Sequence, residues 1–147
     1  IVGRKLLVCG GSSAGNFVSP HLSALKTVEM LDLERSDEWL LVSPMLTARL
    51  CHAAAGIAGK VYVCGGIGES HAVLSSAHCI DFAGSSQWEV LPNMSIPRGE
   101  PSMLTVAGNI FVFGGSQGSP TVMKCLSSAE FFDPVSRSWQ ALPAMSI

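Results

Sequence analysis

Among the residues able to do chemistry, the histidines come first: His21, His52, His71 and His78. Their separations do not fit the short paired spacings that hold zinc, and each is expected to make an ordinary hydrogen bond. Five cysteines, an odd number without paired spacing, argue against a disulfide framework and fit a reducing compartment. Asn93-Met94-Ser95 is formally a glycosylation triplet, of a kind common by chance. Glu29, Glu130, Asp32, Asp81 and Asp133 offer carboxylates for acid/base work only if each is read alone. Three Gly-Gly pairs invite comparison with phosphate-cradling loops, yet no GxGxxG or Walker pattern leads into a helix.

These residues recur in register, which changes what they mean. Trp39, Trp88 and Trp139 stand about fifty residues apart. The interval from Trp39 to Gly66 equals that from Trp88 to Gly115. A methionine follows each tryptophan at one fixed distance (Met45, Met94, Met145), and Arg49 and Arg98 follow the first two at another. Between the marks lie strands. Leu6 to Cys9, Val61 to Cys64 and Ile110 to Phe113 each run four apolar residues into a Gly-Gly pair, as strands covered on both faces do. A polar loop of variable length follows, then a mixed strand (Val28 to Leu33, Ala77 to Phe82, Ser128 to Phe132) with an aspartate near its end. A turn, clearest at Asp133-Pro134, leads to the tryptophan strand. A fourth strand, Cys51 to Ile57 or Ser102 to Ala107, returns to the next Gly-Gly run. No segment carries a helical period. Four short strands per unit of about 50 residues describe a propeller blade.

Read in register, Gly10, Gly11, Gly65, Gly66, Gly114 and Gly115 are structural, turning the backbone at φ > 0. Trp39, Trp88 and Trp139 are structural too, filling space between neighbouring blades. Cys9 and Cys64 share the slot of Phe113 and are expected to pack. The acids become turn and strand-end groups.

The order of arginine, strand, Gly-Lys or Gly-Asn, strand, Gly-Gly, loop, Glu-x-x-Asp, turn, Trp and Leu-Pro-x-Met closely resembles the kelch repeat. Gly59-Lys60-Val61-Tyr62-Val63-Cys64-Gly65-Gly66 and Ala129-Glu130-Phe131-Phe132-Asp133-Pro134 carry the resemblance, which covers essentially the whole chain. It departs where His78 takes the slot of Glu29 and Glu130, and Pro101 that of His52. The resemblance implies an all-β kelch-type β-propeller of about three four-stranded blades, the first incomplete, forming part of a six-bladed ring. Residues 1–147 then divide into blade A, 1–46, blade B, 47–95, and blade C, 96–147. It also implies that Arg49 and Arg98 lie near the channel rim, against structural acids or against ligand.

Function is then expected on the face where two kinds of loop emerge. The loops between second and third strands span 12–26, 67–76 and 116–126, and the loops between blades include 43–50 and 92–100. Their lengths vary while the strands hold register, as exchangeable binding loops on a rigid scaffold do. Candidate ligand contacts are Arg49, Arg98, Asn16, Phe17, His21, His71 and Gln117. The two arginines are expected to clamp the carboxylates of an acidic peptide. The chain reads as a non-catalytic interaction module without cofactor or metal, its partner another protein. It resembles the substrate-receptor propellers of ubiquitin-ligase adaptors, particularly at Ser43-Pro44-Met45-Leu46-Thr47-Ala48-Arg49, or actin-associated kelch proteins. The alternative is a kelch-fold enzyme such as a sugar mutarotase. A copper oxidase is argued against because the only tyrosine, Tyr62, shares an apolar slot with Leu7 and Phe111.

Composition agrees. Charged residues make up 14% of the chain and hydrophobic ones 48%, too apolar for a disordered linker. Nine basic against eleven acidic residues give a net charge of −2, with no surplus to draw nucleic acid or anionic lipid. No apolar run is long enough for a membrane helix. Cytoplasm is expected, with the nucleus as the other compartment. The chain opens on Ile1 and is expected to be an internal segment, half of a six-bladed propeller. Without the remainder it is expected to self-associate, a dimer of three-blade halves being the alternative.

Overall fold

The computed structural model describes residues 3–13, 23–35, 37–119 and 122–146. Every regular element in them is a strand. Blade A contains β1 (Lys5–Cys9), β2 (Val28–Asp32) and β3 (Leu40–Val42), an antiparallel sheet in that order. Blade B contains β4 (Ala53–Ile57), β5 (Lys60–Cys64), β6 (Ala77–Asp81) and β7 (Trp88–Leu91), again in chain order. Blade C contains β8 (Ser102–Val106) and β9 (Asn109–Phe113), then a hairpin of β10 (Ser116–Ser119) and β11 (Val122–Cys125). It closes with β12 (Ala129–Asp133) and β13 (Ser138–Leu142), which extend the β8-β9 sheet. The segment 116–126, expected as a loop, is thus mostly paired backbone, Gln117 standing opposite Lys124.

Period-two alternation places one side of each strand against the preceding blade and the other against the following one. From β9, Ile110 and Val112 face blade B, joined there by Phe132, Trp139 and Met103. Blade B answers with Tyr62, Cys64, Ala77, Cys79, Leu91 and Met94. On its opposite side Val61, Val63, Ile80 and Trp88 meet Val28 and Met45 of blade A. Each of the two indoles caps its packing with a hydrogen bond across the junction. Trp88 Nε1 donates to the Ser43 carbonyl at 2.8 Å and Trp139 Nε1 to the Pro92 carbonyl at 2.8 Å. Trp39 occupies the same slot in blade A and is 42% exposed.

Second-strand ends bend sharply at the glycine pairs. Gly66 lies at φ +89°, and a Cβ there would stand 2.6 Å from the Leu50 carbonyl oxygen and 2.7 Å from the His52 Cβ. Gly65, at φ +64°, would press a Cβ onto the Arg98 carbonyl oxygen. Both positions are closed to any side chain. The inner hairpins turn differently. Ala58-Gly59 and Ala107-Gly108 each put both residues at positive φ (49° and 82°, 47° and 83°), the two-residue turn that matches strand twist. Asparagine tolerates that conformation better than alanine. Ala58→Asn and Ala107→Asn are therefore expected to raise stability by about 0.5–1 kcal/mol each, read as a shifted urea midpoint at unchanged slope.

Candidate binding face

Three of the strand-end aspartates close their own turns. Asp81 accepts the Ala83 and Gly84 amides at 2.9 and 3.0 Å, Asp32 the Glu34 amide at 3.1 Å, and Asp133 the Val135 amide at 2.8 Å. The Val135 amide and the Ser136 hydroxyl hold the Asp133 carboxyl below its usual range.

Of the two expectations for the arginines, a structural acid or a ligand, Arg98 meets the first. Arg98 sits at the start of the chain's return to the inner strand and points into blade C rather than out of the face. Its Nη1 donates to the Gly114 and Ser128 carbonyls, both at 2.9 Å, and Nη2 to the Ser128 hydroxyl at 2.9 Å. Nε and Nη2 both donate to Glu130 Oε1 at 3.2 Å. Glu130 Oε2 in turn accepts the Ser95 amide at 2.9 Å and the Ser95 hydroxyl at 3.1 Å. Arg49 repeats the arrangement one blade earlier. Nη1 donates to the Gly65 carbonyl at 2.8 Å and the Ser76 carbonyl at 3.0 Å, and Nη2 to the Ser76 hydroxyl at 2.9 Å. Nη2 also reaches His78 Nδ1 at 3.1 Å. A guanidinium has no lone pair to offer, so Nδ1 is the acceptor and the ring proton is on Nε2.

Both arginines are 0% exposed. The expected clamp on an acidic peptide therefore does not exist at Arg49 and Arg98. Their fork geometry satisfies the Gly65 and Gly114 carbonyls at the two turns and adds a second donor to the Ser76 and Ser128 carbonyls, which already accept the Gly65 and Gly114 amides. Ser76 and Ser128, the hydroxyls in this arrangement, were not legible as partners in advance, although both stand immediately before a third strand.

Burial sets the remaining titrations. It lowers His78 to about 4 and His52 to about 4, the Arg49 charge adding to the effect in each. Burial likewise lowers Arg49 to about 10. The Cys64 thiol is pushed up to about 12 and the Cys9 thiol to about 11, again by burial, so neither is a thiolate near neutrality. Among the described residues no group of three or more His, Cys, Asp or Glu is placed to hold a metal ion. No helix among them is long and apolar enough to cross a membrane.

What the face does present is the β10-β11 hairpin and the loops beside it. Ser116 exchanges backbone bonds with Gly99 (2.7 and 2.8 Å), which fastens the hairpin's base to the connection between blades B and C. Ile67 and Leu50 make the same exchange one blade earlier at 2.8 and 3.0 Å. Beyond that base Gln117 is exposed, and so is all of β11, with Val122 at 73% and Met123 at 50%. The clue to this hairpin was the Gly118-Ser119-Pro120 turn signal before the apolar pair Val122-Met123. His71 is exposed at φ +60° in the tight turn of the blade B loop, its amide donating to the Gly68 carbonyl at 3.0 Å. Asn16, Phe17 and His21 lie outside the described residues.

Comparison with known proteins agrees with this architecture. The kelch motif matches residues 48–95 and 97–146, together well over half of the chain. A search of curated proteins returned no match. The solved structure of YjhT superposes with a TM-score of 0.79 at 17% identity, over 99% of this chain and 49% of that one. The present chain thus spans about half the length of that structure, and the likeness is one of fold. With two matched repeats, blade-like sheets and arginine-stapled junctions, the chain belongs to the kelch family and forms part of a kelch-type β-propeller.

Proposed function

We propose that this chain is a non-catalytic protein–protein interaction module that binds another protein on the face carrying the hairpin and the inter-blade loops. Kelch repeats on a propeller fold support an interaction module in general. The observation that carries the finer reading is β11, a strand exposed along its whole length with Val122 and Met123 uncovered beside Lys124. A two-stranded ribbon has little stability of its own, and this one is held by its base at Gly99 and Ser116. An apolar, rigidly rooted projection with a cation suits a partner segment that offers an apolar side chain and a carboxylate. In this reading Lys124, and not the buried arginines, meets the acidic segment. The family setting we favour is substrate recognition within a ubiquitin-ligase adaptor, or an actin-associated kelch protein, in the cytoplasm or nucleus. The enzyme alternative has no specific observation behind it.

The test is a triple substitution, Val122→Ser, Met123→Ser and Lys124→Glu, in the intact protein. Association with its co-purifying partners is expected to weaken at least about tenfold, the loss of one good interface anchor, with thermal unfolding unchanged. Undiminished association in the variant would sink the reading.

A further inference from the structure

The junctions A–B and B–C differ at three positions around otherwise equivalent arginines. Where blade C has Glu130, blade B has His78. Ser95, whose amide and hydroxyl hold the Glu130 carboxylate, corresponds to Leu46, and Pro101 corresponds to His52. Arg98 therefore meets a carboxylate on Nε and Nη2. Arg49 meets an imidazole on Nη2 alone, and its buried Nε has no partner. The Nδ1 of His52 is also buried without a partner. Among the described residues no ion pair involves Arg49. Junction A–B thus holds an enclosed positive charge and two orphaned polar atoms, where its sister junction pairs the equivalent guanidinium with a carboxylate.

An enclosed charge without a counter-charge is among the costliest features a protein interior can contain. We propose that a small monovalent anion of chloride size binds at Arg49 Nε and His52 Nδ1, taking the part that the Glu130 carboxylate plays beside Arg98. One guanidinium charge sets the ligand's charge at one. The two unmatched atoms set its chemistry, a spherical acceptor receiving Nε–H and, with His52 in the Nδ1–H tautomer, the imidazole N–H. His78 and His52 stay neutral near pH 7 and add no further charge, which disfavours a divalent anion. The exchange of Pro101 for His52 is coherent with this: the junction that lacks a carboxylate gains a donor.

Thermal unfolding of the intact protein, with sodium chloride replaced stepwise by sodium gluconate at constant ionic strength, tests the site. Raising chloride from about 1 mM to about 1 M is expected to lift Tm by roughly 5 °C, as a ligand bound only to the folded state does. His78→Glu supplies the carboxylate from the chain and is expected to abolish the chloride response while unfolding at a higher temperature in gluconate. A wild-type Tm that ignores chloride, or a variant that keeps the full response, overturns the proposal. If the variant does not fold, crystals of the wild type soaked in bromide decide it. An anomalous peak within hydrogen-bond distance of Arg49 Nε supports the site, and its absence there refutes it.

Discussion

Arg98→Ala is expected to destabilise the intact protein by about 3–5 kcal/mol in urea titrations, the cost of breaking one side of an enclosed ion pair. The size comes from what is left behind. Glu130, at 1% exposure, keeps the Ser95 amide and hydroxyl but loses both guanidinium donors, and the Gly114 carbonyl loses its donor while the Ser128 carbonyl keeps only the Gly114 amide. Arg49→Ala strands the Gly65 carbonyl but no carboxylate, since His78 is neutral, so its cost is expected to be smaller, about 1–3 kcal/mol. Order matters more than magnitude here. Finding Arg49→Ala the more damaging of the two would mean that the Glu130 carboxylate is not what anchors junction B–C. Replacing both members, Arg98→Met with Glu130→Leu, should recover part of the loss because no charge is then left enclosed.

The tryptophans separate in the same manner. Trp88→Ala is expected to cost about 3–5 kcal/mol, since it opens a void among Val28, Val61, Val63 and Ile80 and frees the Ser43 carbonyl. Trp39→Ala, at the same repeat position, is expected to cost less than about 1 kcal/mol because no blade among the described residues packs over it. Differential scanning calorimetry of the two variants checks the contrast. Equal losses would mean that Trp39 is covered by something that this chain does not supply.

Much of this architecture was legible because a propeller writes its geometry once per blade. The Gly-Gly pairs, the tryptophans and the apolar runs mark positions whose backbone or packing demands are identical in every repeat, so register alone located β1, β5 and β9. Strand limits moved by a residue or two: β4 begins at Ala53 rather than Cys51, and β12 at Ala129 rather than Ser128. What spacing could not convey is direction. Arg49 and Arg98 stand beside loops in the chain, and nothing in their spacing says that the guanidinium turns inward to carbonyls of the blade it enters. The hairpin β10-β11 was missed for the opposite reason. Among the described residues it occurs in one blade only, so the repeat has nothing to say about it, and a polar, glycine-containing first strand lacks the usual apolar alternation.

The staples also give the array a polarity. Each arginine stands in the connection that enters its blade: its amide bonds the preceding blade (Arg49 to the Leu25 carbonyl, Arg98 to the Leu74 carbonyl), and its guanidinium meets two carbonyls, a serine hydroxyl and the residue at the His78 or Glu130 position of the blade it enters. In blade A the same accepting positions fall on Gly10, Thr27 and the exposed Glu29. That flank is matched by sign and shape to a donor, and two such flanks brought together would set carboxylate against carboxylate. Blades of this kind add head to tail, and the direction of the chain becomes the polarity of assembly.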